Sequence, residues 1–140
     1  MIKIENNLQS GLLDLVLEGE EKSQKQITDD MKMFLVGALL RVNNNNHDDL
    51  FQMIATRYFI SSQASFDELC LLGDECLVLL GLYKKQKHHC DIRVANDVGP
   101  MVYAACSGKG GGQLYAQASA SFGVLTQVLS SIQKPVLRLI

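Results

Sequence analysis

The stretch CSGKGGGQL, Cys106 to Leu114, sets four glycines and a lysine between two apolar segments, a composition that can cradle a phosphate. A phosphate loop needs G-x-x-x-x-G-K-[ST] after a strand and ahead of a helix, so that backbone amides converge on the anion. Here Lys109 is followed by Gly110 instead of Ser or Thr, and the segment before it has helical spacing. The pattern therefore predicts a joint. Gly108 would end one helix in a left-handed cap, and the glycines after it would let the chain reverse.

His88, His89 and Cys90 form a second candidate, a metal site. Adjacent residues project in different directions, and a tetrahedral centre needs further ligands from elsewhere, Cys106 being a conceivable one. A solvated loop at a helix end explains the triplet more simply, and no metal is assigned. Cys70, Cys76, Cys90 and Cys106 contain no C-x-x-C pair. Cys70 and Cys76 would stand about 9 Å apart along one helix, beyond disulfide reach. All four read as reduced thiols, mostly buried. A nucleophilic pairing with His47, His88 or His89 has nothing in the spacing to recommend it, and no serine sits in a G-x-S-x-G elbow.

Asp74 and Glu75 are neighbouring carboxylates that point about 100° apart on a helix, so they form no acid–base dyad by themselves. Asp74 follows Gly73 inside an apolar helix, and a buried carboxylate requires a partner. Arg57, Arg93 and Tyr103 are the candidate donors, with Arg93 and Tyr103 preferred. Asp74, Arg93 and Tyr103 are thus the expected polar binding cluster, read as a structural anchor in preference to a catalytic acid. No catalytic or cofactor-binding residue is assigned. The basic cluster Lys84, Lys85, Lys87, His88, His89 and Arg93 lacks interleaved aromatics and a docking motif, which makes it a solvated helix end and gives no nucleic-acid partner.

The whole chain frames these choices. Its 140 residues suit one domain, and 47% apolar against 20% charged residues exclude a disordered chain. A net charge of −2 supplies no field for nucleic acid or anionic lipid. The N-terminus lacks the apolar run of a signal peptide, and Leu69–Tyr83 is too short and too interrupted to span a bilayer. A soluble cytoplasmic protein is expected.

Apolar spacings of three and four dominate, and alternation of strand type is nearly absent. They predict a short first helix over about 6–18, then a second that Thr28 caps and the asparagines Asn43–Asn46 end. A third covers about 48–60. Ser65 and Glu68 form a capping box opening a helix over about 66–83, apolar nearly all round and therefore central. Asp91 is placed to cap a fifth helix running toward Ser107, kinked or restarted at Gly99-Pro100. Leu114, Ala118, Phe122, Leu125, Leu129 and Ile132 stripe a last helix, which Pro135 stops before the apolar tail Val136–Ile140. The expected fold is all-α, a single compact bundle of five to six helices with a buried central helix.

The segments LCLLGDECLVLLGLY, VANDVGPMVYAACS and LYAQASASFGVLTQVL resemble a family of uncharacterised bacterial helical proteins. The matching positions are Gly73, Asp74, Gly81, Tyr83, Gly99, Tyr103 and Phe122, within about the C-terminal half of the chain. The family's paired tyrosines before the later glycine are absent, and Pro100 intrudes. The resemblance implies an all-helical fold and no particular reaction. Gly73 and Gly81 also lie on one ridge of their helix, where small residues let another helix approach closely.

Three functions compete on this basis. The leading one is a non-enzymatic protein-interaction or scaffold module that self-associates as a homo-oligomer, or meets an unidentified protein partner. Its motive is the apolar surface left over on the 66–83 helix and in the tail. A small-molecule or lipid-binding helical pocket is the alternative, and an enzyme with a site near Asp74, Arg93 and Tyr103 comes third. No cofactor is expected.

Overall fold

The structure, a computed structural model, describes residues 2–43, 65–83 and 89–132, with side chains from residues 8, 65 and 92 onward in each stretch. Among these residues it is helical, without a strand: α1 (Ile2–Ser23), α2 (Asp29–Asn43), α3 (Phe66–Leu82), α4 (His89–Cys106), α5 (Gly112–Ala120) and α6 (Phe122–Ser130). The all-α bundle with a buried central helix is the observed architecture. The helix expected over 48–60, the lysines after Tyr83, the stop at Pro135 and the apolar tail lie outside the described residues.

Two helix starts follow their sequence signals. Thr28 Oγ1 accepts the Met31 amide at 3.2 Å, satisfying a donor that the first turn of α2 leaves open. At α3, Ser65 Oγ accepts the Glu68 amide at 3.2 Å while Glu68 Oε1 accepts the Ser65 amide at 3.2 Å, a complete capping box.

Three boundaries differ from expectation, each for a physical reason. α1 continues to Ser23, into the polar stretch beyond the expected end near residue 18. Glu18 and Lys22 pair at 3.5 Å on its outer side, while Glu20 turns toward α2, accepting the Ile27 amide at 2.9 Å and pairing with Lys32 at 3.5 Å. Gly19 faces inward, where a Cβ would run into the Val128 backbone. Next, α4 begins at His89, so Asp91 lies inside the helix and not at its cap. It also continues through Pro100, the first of the two expected alternatives, and does not restart there. Gly99 removes the Cβ that would clash with the proline ring, and the carbonyl deprived of its intrahelical donor belongs to exposed Asn96. Finally, the last stripe is two helices separated at Ser121 (φ −98, ψ 8). Helical bonding crosses the step, with the Ser121 amide donating to Gln117 O and the Leu125 amide to Ser121 O, both at 2.9 Å.

α3 is the centre. It packs against α4 most extensively, then α6 and α2, while α1 closes against α2 and α6. From Leu72 to Gly81 every residue is buried by the protein's own helices. The apolar surplus of this helix, expected to be shared between chains, is thus absorbed within one. Glycines set the closest approaches. At Gly73 an added Cβ would lie 2.6 Å from Tyr103 Cδ1 on α4, and at Gly81 2.9 Å from Leu129 Cδ1 on α6. The shared ridge therefore receives two different helices.

The glycine stretch is a joint between α4 and α5, as expected, but not through Gly108. Ser107–Gly111 form a wide π turn whose Gly112 amide returns to Ser107 O. The left-handed residues are Gly110 (φ 116) and Gly112 (φ 64). Gly108 has no positive φ and open space where a Cβ would stand.

Candidate functional site

Phe34, Ala38 and Arg41 lie on one face of α2, and the first two are buried. The third extends that stripe, so its long stem runs back along the helix. A Cβ on Gly37 would lie 3.1 Å from Arg41 Nη1. The guanidinium carbon stands 5.8 Å from the Phe34 ring centroid, in cation–π range. This posture aims the charged fork at α3.

Asp74 receives it. Its side chain is 0% exposed. Oδ2 accepts from Arg41 Nε at 2.6 Å and Oδ1 from Arg41 Nη2 at 3.2 Å, a bidentate pair. Oδ1 also accepts the Tyr103 hydroxyl at 2.6 Å. Gly73 makes this last bond possible, because the absence of a Cβ there lets the tyrosine ring lie against α3 with its hydroxyl on the next residue. Among the described residues three donors and no acceptor surround the carboxylate, the environment of an ionised group. Burial pushes its carboxyl above the ordinary range, while Arg41 and Tyr103 pull the other way. Tyr103 is held well above the phenol value, first by burial and then by the Asp74 charge.

Aromatic edges enclose the cluster. Tyr103 meets Phe34 at 5.2 Å between centroids and Tyr115 at 5.7 Å, and Phe34 meets Tyr115 at 5.3 Å, all edge to face. Tyr103 also meets Phe122 at 5.9 Å.

One turn further along both helices lie two thiols. Cys70 precedes Asp74 by four residues on α3, Cys106 follows Tyr103 by three on α4, and their sulfurs are 3.7 Å apart. The order of these pairings, 74 with 103 and 70 with 106, makes α3 and α4 antiparallel. Cys70 is drawn below the ordinary thiol value by its hydrogen bond with Cys106, and further by Tyr115 and Arg41, against the opposing effects of burial and of the Asp74 charge. Cys106 is driven far upward by the same pairing and by its burial.

An open cleft of about 410 Å³ adjoins the cluster, lined by Arg41, Phe66, Asp67, Cys70, Leu71 and Tyr115. Asp74 and Tyr103 do not line it. The cleft therefore meets the arginine and one thiol, and leaves the carboxylate behind them.

Of the three residues expected to cluster, the structure joins Asp74 and Tyr103. Arg93 is exposed on α4, and the cation on Asp74 is Arg41 instead. Arg57, the other candidate cation, lies outside the described residues. In the sequence Arg41 is a cation just before an asparagine run, which has the look of an ordinary helix end. Its spacing of seven from Phe34 and three from Ala38, on a buried face, is the signal that finds it. Glu75 is fully buried as well, on the adjoining face of α3.

His88 and the side chains of His89 and Cys90 lie outside the described residues. Among the described residues no three of His, Cys, Asp or Glu gather closely enough to hold a metal ion, and no helix is long and apolar enough to cross a membrane. Comparison with protein-family models, curated proteins and solved structures gives no match.

Proposed function

We propose that this chain is a non-enzymatic helical interaction module of the cytoplasm, self-associating or binding a protein partner. The observation that carries this reading is how the polar cluster closes on itself. Both Asp74 oxygens are occupied by donors of the same chain, and the carboxylate does not line the cleft, so it ties α2, α3 and α4 together instead of meeting a substrate. Contacts with other proteins then fall to the outer surface, where Met33 is 56% and Met101 54% exposed, with Leu17 and Leu114 also exposed. Membership of the bacterial helical family that the chain resembles belongs to the same proposal.

Sedimentation velocity over a micromolar concentration series tests the self-association. A dimer weakened by Met33→Glu or Met101→Glu is the expected result. A monomer at every concentration, with no protein captured by the wild-type chain that these variants lose, refutes the proposal.

The cleft supports a second reading, a small-molecule pocket, since its volume falls in the range of ligand sites. A ligand there would raise the melting temperature of the wild type and not of Leu71→Glu.

A further inference from the structure

The Cys70–Cys106 pair has properties that neither reading uses. The two sulfurs belong to different helices, lie 3.7 Å apart, and need only about 1.7 Å of approach to reach the ~2.05 Å of a disulfide. They are also unequal in access. Cys70 lines the cleft and is 4% exposed, whereas Cys106 is 0% exposed behind it. Cys76, on the same helix as Cys70, is 0% exposed and lines no described cleft. A small oxidant entering the cleft therefore meets one thiol first, and that thiol has a second at contact distance. The hydrogen bond from Cys106 favours an anionic Cys70 sulfur, while Arg41, which lines the same opening, is outweighed by the opposing charge of Asp74.

We propose that Cys70 and Cys106 form a peroxide-oxidised dithiol, in which Cys70 reacts first and Cys106 resolves it to an intrachain disulfide between α3 and α4. In the first step the Cys70 thiolate attacks one oxygen of hydrogen peroxide. The S–O bond forms, the O–O bond breaks, and hydroxide leaves as water after taking up a proton, so that Cys70 becomes a sulfenic acid. In the second step the Cys106 sulfur attacks the Cys70 sulfur. The S–S bond forms, the S–O bond breaks, and the departing hydroxyl takes the Cys106 proton to leave as a second water. Two thiols are oxidised by two electrons and one peroxide is reduced. A thiol reductant reverses the change by exchange.

The experiment uses the reduced full chain, treated with one equivalent of hydrogen peroxide at neutral pH, alkylated, and digested without reduction. Trypsin leaves Cys70 and Cys76 on one peptide, because no lysine or arginine separates them, so Cys76→Ala is mapped beside the wild type. The expected product in both is a peptide pair joined through Cys70 and Cys106, with both thiols protected from alkylation. In Cys106→Ala the sulfenic acid at Cys70 should persist and be trapped by dimedone. In Cys70→Ala the oxidation of Cys106 should slow at least about tenfold, since the accessible thiolate is gone. The wild-type map depends on no variant folding. Recovery of Cys70 and Cys106 as free thiols while other cysteines oxidise overturns the proposal, as does irreversible oxidation of Cys70 with Cys106 still alkylatable.

Discussion

Replacing Asp74 with leucine removes the acceptor that both Tyr103 and Arg41 use, and the two donors suffer unequally. The Tyr103 hydroxyl sits on a 0% exposed side chain, so losing its acceptor costs about 1–3 kcal/mol. The Arg41 side chain is 41% exposed and can turn its fork to water, so the loss of its ion pair adds only about 1 kcal/mol. The expected destabilisation is therefore about 2–4 kcal/mol, read as a lowered urea midpoint at unchanged slope. Asp74→Asn keeps one oxygen for the Tyr103 hydroxyl and should cost less. The decisive variant is Asp74→Leu combined with Tyr103→Phe. Deleting the stranded hydroxyl should recover at least about 1 kcal/mol of the loss, a coupling that a double-mutant cycle isolates. An unchanged midpoint for Asp74→Leu, or strict additivity of the two changes, would refute the view that this bond anchors α3 to α4.

The glycines give a second, graded expectation. Gly73→Ala pushes a methyl into the Tyr103 ring and should cost about 1–3 kcal/mol by overpacking. Gly112→Ala at φ 64 should cost about 1 kcal/mol, and Gly108→Ala should cost little, an order that thermal unfolding of the three variants checks. The buried phenols give a pH dependence. Tyr103 and Tyr115 keep their protons in the folded chain above 10.0, where an unfolded tyrosine loses its own. The folded state then binds more protons, so their contribution is full below pH 10 and is lost as pH rises past it. Phenolate absorbance should show these two ionising only with unfolding, and Tyr103→Phe should make the alkaline loss of stability less steep. Titration of both near 10.0 in the folded chain would contradict this.

Much of the fold is legible in the sequence because helix starts are local chemistry. Thr28 and the Ser65–Glu68 box each satisfy amides within a few residues, so the residue types suffice to place them. Boundaries that depend on tertiary partners are not legible in this way. Gly99-Pro100 leaves a kinked continuation and a restart equally open in the sequence, and the polar run after Glu18 gives no sign that Gly19 faces α6. The same division runs through the site. Asp74 stands out because a carboxylate in an apolar helix demands a partner, and Tyr103 is at hand on the next described helix. Choosing between Arg41 and Arg93 requires knowing which helix face meets α3; the spacing of Arg41 from Phe34 and Ala38 puts it on the stripe of α2, and packing then brings that stripe to Asp74. The neighbouring thiols also stay hidden, since Cys70 and Cys106 are separated by 36 positions and become adjacent only when α3 and α4 pair antiparallel.

The two notches on α3 have a consequence for uniqueness. Gly73 and Gly81 stand eight residues apart, about 12 Å along the axis at 1.5 Å per residue. One accepts a ring from α4 and the other a leucine from α6, while Gly99 on α4 accepts the Phe122 ring that leads α6. Three helices are thus keyed to one another at three points, each a vacancy matched to one protruding group. Sliding α6 along α3 by a single turn would carry Leu129 from the vacancy at Gly81 toward Leu77 and lift Phe122 from Gly99 in the same motion. A bundle held by greasy surfaces alone would tolerate such slippage at little energetic difference, whereas here it carries Leu129 out of its vacancy and onto a side chain. The glycines therefore act as registration marks, and they give a helical core rich in interchangeable leucines and valines a single alignment.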